Sequence, residues 1–186
     1  MRFVEAPIAG AWTIEVEPSA DERGMFARTF DAGAFAERGL SAELAQCSTS
    51  FNRRAGTLRG LHYQAEPHGE SKLVRCTAGA AFDVMVDLRP DSPTHRRWHG
   101  VELSAENRRS VYVPRGVAHG FQTLVDGTEL LYMIDVPFAP DAARGVRWDD
   151  PAFGVEWPDP PEGRTMSERD RTFPDYVTPR AGPATS

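Results

Sequence analysis

Ala81-Phe82-Asp83-Val84-Met85-Val86-Asp87-Leu88, residues 81–88, alternates with a period of two. In an extended chain Phe82, Val84, Val86 and Leu88 share one face, leaving Ala81, Asp83, Met85 and Asp87 on the other. Asp83 therefore projects away from the side that takes the large apolar groups. Runs of the same kind lie at Trp12 to Val16, Lys72 to Thr77, Trp98 to Leu103, Ser110 to Val113, Gly120 to Leu124 and Glu129 to Val136, and Met25 to Phe30 alternates weakly. Pro90, Pro93, Pro114, Asp126-Gly127 and Pro137 punctuate them. Many short strands divided by turn residues predict an all-β sandwich or barrel. A short helix is predicted from Asp31, its N-cap, to Arg38, with Gly39 as the stop. Ser167-Glu168-Arg169-Asp170 has capping-box spacing and predicts another.

The chain has 186 residues, enough for one domain with tails. The expected division is a single domain over 1–176 and a Pro-, Ala- and Ser-rich tail over 177–186. A net charge of −6 argues against binding nucleic acid, which needs a basic face to displace counterions. No apolar run of 18 residues exists to span a membrane, and the N-terminal apolar stretch is too short and broken for a signal peptide. Two cysteines, Cys47 and Cys76, are too few for a disulfide framework. A cytoplasmic location is expected.

The cationic residues are 20 arginines and a single lysine, Lys72. A guanidinium is a broad fork that never loses its proton, whereas an ammonium is a compact point charge. A lone lysine in an arginine-using chain marks a place where the fork does not serve, or a solvated strand position where one lysine survived. Two blocks carry further chemistry. Gly56-Thr57-Leu58-Arg59-Gly60-Leu61-His62-Tyr63-Gln64 sets Arg59 and His62 around a glycine. Pro114-Arg115-Gly116-Val117-Ala118-His119 is a turn that delivers a histidine to the next strand. Two histidines from separate strands of a small barrel can point into one cavity.

The second block resembles the second motif of the cupin superfamily, jelly-roll barrels of antiparallel strands. Aligned on that pattern, the four metal-ligand places hold His62, Gln64, Lys72 and His119. An amide replaces one imidazole and an ammonium replaces a carboxylate, which repels a divalent ion. The expectation is a cupin with no metal and no cofactor.

More narrowly, the chain resembles the dTDP-4-dehydrorhamnose 3,5-epimerase family from about Trp12 to Asp170. Its blocks are Asp21-Glu22-Arg23-Gly24-Met25-Phe26, Arg59-Gly60-Leu61-His62-Tyr63-Gln64, Lys72-Leu73-Val74-Arg75-Cys76 and Phe82-Asp83-Val84. Leu103-Ser104-Ala105-Glu106-Asn107, Ala118-His119-Gly120-Phe121, Leu131-Tyr132, Arg147-Trp148-Asp149-Asp150-Pro151 and Ser167-Glu168-Arg169-Asp170 complete them. The resemblance implies a homodimer that epimerises a nucleotide-linked 4-keto-6-deoxy sugar through an enolate. His62 would be the base, Asp170 its orienting carboxylate, Tyr132 the acid and Lys72 the stabiliser of the enolate. Leu130, Tyr132 and Ile134 share a strand face, so the phenol can enter the barrel. His119 and Asp83 would complete the polar lining. Arg59 would hold the diphosphate, with Gln46 and Ser48 toward the nucleotide, Phe138 would contact substrate in place of a tyrosine, and Arg23 would reach the neighbouring subunit's site.

Four positions depart from the family pattern. Met133 stands for a lysine, Phe138 for a tyrosine, Ser48 for an asparagine and Arg28 for a glutamate. Alternatives to the two-carbon epimerase are an enzyme that inverts one carbon or isomerises the keto group, and a non-catalytic cupin that binds a sugar nucleotide.

Overall fold

The computed structural model describes residues 1–160 and 162–177. Along them run β1 (Arg2–Glu5), β2 (Trp12–Glu15), β3 (Ser19–Asp21), β4 (Gly24–Phe26), α1 (Ala32–Ala36), β5 (Gln46–Asn52) and β6 (Leu58–Gln64). There follow β7 (Lys72–Ala78), β8 (Ala80–Asp87), β9 (Trp98–Ser104), β10 (Ser110–Val113), β11 (Val117–Thr123), β12 (Thr128–Ile134), β13 (Ala143–Gly145) and α2 (Glu168–Arg171). One antiparallel sheet has the order β1-β2-β10-β7-β12-β5, a second β13-β6-β11-β8-β9, and β3 and β4 form a separate hairpin. This is the all-β, cupin-type jelly roll with short flanking helices that the sequence predicts. Among the described residues no helix is long and apolar enough to cross a membrane.

The alternation of residues 81–88 has an unexpected orientation. Between the sheets, Val74, Cys76, Val111 and Leu130 meet Ala81, Met85, Leu103 and Phe121. Asp83 belongs to this inner face. The larger apolar side chains point outward: Val84, Val86 and Leu88 are buried with Leu58 and Leu61 beneath Val146, Phe153 and Trp157, and Phe82 packs half-buried against them. Fully burying a side chain of this size contributes about 1.5–3 kcal/mol. That burial ties down the irregular stretch after β13, together with backbone bonds that join Val146 to Leu61 and Thr165 to Gly56 and Leu58. A third cluster sets Phe35 of α1 on Ile14, Leu73 and Tyr112.

Several boundaries differ from the sequence reading. The first helix stops at Ala36, although the Asp31 carboxylate does accept from the Ala34 N–H (3.0 Å), a cap worth about 1 kcal/mol. The weak alternation of 25–30 forms strand only to Phe26. The strand expected at 120–124 begins at Val117, so His119 lies within it. Strands β1, β3, β5 and β13 have no counterpart in the sequence reading. Gln46–Asn52 reads Gln-Cys-Ser-Thr-Ser-Phe-Asn, which has no apolar face. The tail expected from residue 177 lies, from 178 on, outside the described residues.

Candidate active site

Strands β6 and β11 are antiparallel neighbours, with His62 directly opposite His119. The register then slips and Phe121 pairs with Arg59, so three steps along β6 match two along β11. Residues three apart on a regular strand face opposite sides; a bulge changes that. Here it puts both Arg59 and His62 on the inner face while Leu58 and Leu61 stay in the outer core. Gly60 makes the slip possible. Its φ is +137°, and a Cβ on it would stand 2.6 Å from the Gly120 Cα. The glycines of the two sequence blocks thus meet each other.

A cavity of about 450 Å³ opens between the sheets. One wall carries Arg59, His62, His119 and Phe121; the other carries Ser48 and Ser50 of β5, Lys72 of β7, and Tyr132 and Ile134 of β12. Helix α2 adds Ser167, Arg169 and Asp170. Its N-cap is half of a capping box. The Ser167 hydroxyl accepts from the Asp170 N–H (3.0 Å), but the Asp170 carboxylate turns away from the helix. Oδ1 lies 2.7 Å from His62 Nε2, and Oδ2 accepts from the Gly60 N–H at 3.3 Å. Burial alone would raise the Asp170 pKa. The His62 ring, the Gly60 N–H and Ser167 outweigh burial and hold it below the usual carboxylate range.

His119 makes a second pair, its Nε2 2.8 Å from Asp83 Oδ2. Asp83 is wholly buried behind the ring, and its Oδ1 has no partner among the described residues. The ring stands edge-on to Tyr132, centroids 5.8 Å apart, where the two walls approach each other. Burial pushes the Tyr132 phenol well above its ordinary pKa, the Asp83 charge adds to this, and Arg59 opposes it. The phenol is thus kept protonated. Lys72 Nζ donates to the His62 carbonyl (3.3 Å) and pairs with Glu70 Oε1 (2.9 Å).

Arg59 is aimed by Asn52, whose Oδ1 accepts from its Nε at 2.8 Å. Phe138 lines the mouth, 58 % exposed, with its N–H held by Gln46 Oε1 (2.5 Å). Gln46 is not itself a lining residue; it acts on the wall through the Phe138 backbone. Gln64, at one of the cupin ligand places, is committed to main chain: Nε2 donates to the His68 carbonyl and Oε1 accepts from the Ala139 N–H. Arg23 stands on the exposed β3–β4 turn, paired with Asp21, and does not line the cavity.

The structure therefore gathers His62, Lys72, Tyr132, Asp170, His119, Arg59, Ser48 and Phe138 around one space. Asp83 sits behind it, Gln46 beside it and Arg23 elsewhere. Sequence reading missed Glu70, Asn52 and Arg169. Glu70 had one available signal, a carboxylate two residues before the only lysine.

A family model described as dTDP-4-dehydrorhamnose 3,5-epimerase matches residues 5–177. A curated protein of that name from Sinorhizobium fredii is 43% identical over 152 residues, covering 82% of this chain and 78% of its own. The crystal structure of a dTDP-4-dehydrorhamnose 3,5-epimerase from Elizabethkingia anophelis superposes with a TM-score of 0.91 at 36% identity, covering 95% of this chain and 96% of that one. A 3'-monoepimerase from Streptomyces bikiniensis, solved in complex with dTDP-quinovose, has a TM-score of 0.84 at 35% identity, covering 91% and 85%.

Proposed function

Because the chain belongs to the dTDP-4-dehydrorhamnose 3,5-epimerase family, an isomerase family of deoxysugar biosynthesis, we propose that it epimerises a dTDP-linked 4-keto-6-deoxyhexose by proton transfer through an enolate. One observation carries the mechanism: His62 and Tyr132 enter a single cavity from opposite sheets. Inversion requires that a proton leave one face of the sugar and return to the other. A base and an acid on facing walls meet that need.

With Asp170 ionised, His62 Nε2 carries a proton and donates it to Oδ1, leaving the Nδ1 lone pair as the base. Nδ1 takes the proton alpha to the C4 ketone, and the C–H pair moves into an enolate whose charge collects on the C4 oxygen. The Lys72 ammonium stabilises that oxygen. The Tyr132 phenol returns a proton from the far side. Solvent or His62 then restores the phenol. Arg59 takes the diphosphate, Ser48 and Gln46 lie toward the nucleoside, and Phe138 lines the mouth near the sugar. His119 and its buried partner Asp83 shape the wall facing Tyr132.

In the homodimer of this reading, Arg23 reaches the mouth of the second copy's cavity. The hairpin bearing Arg23 also exposes Met25 and Phe26, the latter 80% exposed, which favours its docking on a second copy. Residues 1–176 act as one catalytic unit. This reading keeps the reaction in the cytoplasm, and the unpaired Cys47 and Cys76 suit a reducing compartment.

Phe138 favours a second reading, inversion at one carbon only, because the cavity mouth lacks a phenol where the family pattern has one. Incubation of dTDP-4-dehydro-6-deoxyglucose in deuterated water separates the two. Two deuteriums in the sugar mark inversion chemistry at C3 and C5, and one marks a single site. No incorporation overturns the proton-transfer mechanism.

A further inference from the structure

Lys72 shares its wall with a carboxylate that the mechanism above does not use. Glu70 lies just ahead of β7, and its Oε1 is 2.9 Å from Lys72 Nζ. The two side chains are only 10% and 8% exposed, yet both face the cavity. The segment carrying them is fixed on both sides. Gln64 Nε2 holds the His68 carbonyl at 3.0 Å, and the Ser71 N–H donates to buried Asp135 at 2.7 Å. Neither partner is a loose surface group.

A carboxylate in the wall of a cavity that receives an anionic substrate is costly twice over. It is withdrawn from water, and it repels the diphosphate. Its position suggests a compensating use. An ammonium has three N–H donors. Glu70 and the His62 carbonyl occupy two of them, so the third is left with a defined direction. The pair is also neutral as a unit. A bare buried ammonium would be a competing trap for phosphate, which should instead settle on Arg59 and Arg169.

We propose that Glu70 is the positioning residue of Lys72: it aims the ammonium before substrate arrives and cancels its charge toward the diphosphate, so that Lys72 serves the enolate oxygen alone. This rests on the placement of Lys72 at the enolate. As the oxyanion forms, the ammonium gains a second negative partner without moving far, which is the preorganised arrangement that favours a transition state over a ground state.

The test compares Glu70→Gln, Lys72→Met and the double variant, each checked for folding by circular dichroism and thermal melting. Glu70→Gln keeps the size of the side chain and removes its charge. Its kcat is expected to fall by about tenfold while KM stays level or falls, and free dTDP should bind about threefold tighter by calorimetry. Lys72→Met should lose on the order of 10²–10³ in kcat, because it removes the cation and strands the Glu70 charge beside the oxyanion. The double variant, relieved of that stranded charge, should turn over several-fold faster than Lys72→Met. Losses that multiply in the double variant overturn the proposal, as does a Glu70→Gln enzyme that binds dTDP more weakly with unchanged kcat. Failure of the enolate reading is seen separately, as absence of deuterium incorporation by the unmodified enzyme. In that case the dTDP affinities still decide whether Glu70 masks the Lys72 charge.

Discussion

Two histidine–aspartate pairs stand side by side across the β6–β11 ladder, with bonds of 2.7 Å for His62–Asp170 and 2.8 Å for His119–Asp83. Bond length does not distinguish them; access does. The His62 side chain is 42% exposed and its carboxylate arrives from α2, a separate segment laid across the barrel. The His119 side chain is 3% exposed, and its carboxylate belongs to β8, the strand alongside. An open ring backed by an ionised carboxylate is equipped to exchange protons with a ligand. A sealed ring with the same partner is equipped to hold a wall. The same two residue types thus stand in different settings, because one carboxylate comes from a helix laid on the barrel while the other is built into the sheet.

The largest expected effect tests that division of labour directly. His62→Ala should reduce deuterium exchange at the sugar by about 10³-fold or more, within the range for removing a general base. His119→Ala should stay within about tenfold, its loss falling mainly on KM. The measurement is proton NMR of the sugar in deuterated water, and a His119 variant worse than the His62 variant would reverse the assignment. Next in size, Tyr132→Phe should lose about 10²-fold in inverted product. It should retain exchange within about tenfold of the native rate, because His62 can return a deuteron to the face it came from. Equal loss of exchange and inversion would merge the acid and base roles.

Stability should order the two pairs the other way. Asp83→Ala leaves His119 buried beside an empty site and is expected to cost about 3 kcal/mol, a fall in Tm of roughly 6–12 °C. Asp170→Ala leaves His62 facing water and should cost no more than about 1 kcal/mol while abolishing turnover. Calorimetry on both variants decides it; equal melting shifts would mean that access is not the difference.

Asp87 supplies the control, a buried carboxylate with no histidine. Burial would raise its pKa, but bonds from Arg89, Ser92 and Thr94 outweigh burial and hold it down to about 2. A depressed folded pKa stabilises the protein above the unfolded value of 3.8 and loses that contribution as pH falls toward 2. The native protein should therefore exceed Asp87→Asn by about 2 kcal/mol in urea unfolding at pH 6, with the gap closing between pH 4 and pH 2. A gap that ignores pH would show that the hydrogen bonds, not the charge, stabilise that turn.

Much of this organisation was legible in the sequence, because strands of period two and glycine-bracketed histidines are local signals. The alternation of 81–88 gave a strand and placed Asp83 opposite the large apolar groups, but could not say which face looked inward. The larger side chains turn outward only because residues 146–157 return to cover them. Strand β5 was hidden by its own use, since Ser48 and Ser50 face a wet cavity rather than a core. Partner identity was the least legible feature. Glu70, Asn52 and the pairing of His119 with Asp83 depend on how loops and strands meet in space, which no spacing rule encodes. The slip at Gly60 is a middle case: two glycine motifs were visible, and their mutual contact was not.

Asp170 reaches His62 across 108 residues of sequence. During synthesis both sheets, ending with β13 at Gly145, leave the ribosome before α2 does. The Asp170 carboxylate also accepts from the Gly60 N–H at the bulge, so the last helix braces both the histidine and the strand slip that aims it. The pocket around His62 is therefore completed only when two segments far apart in the chain have met.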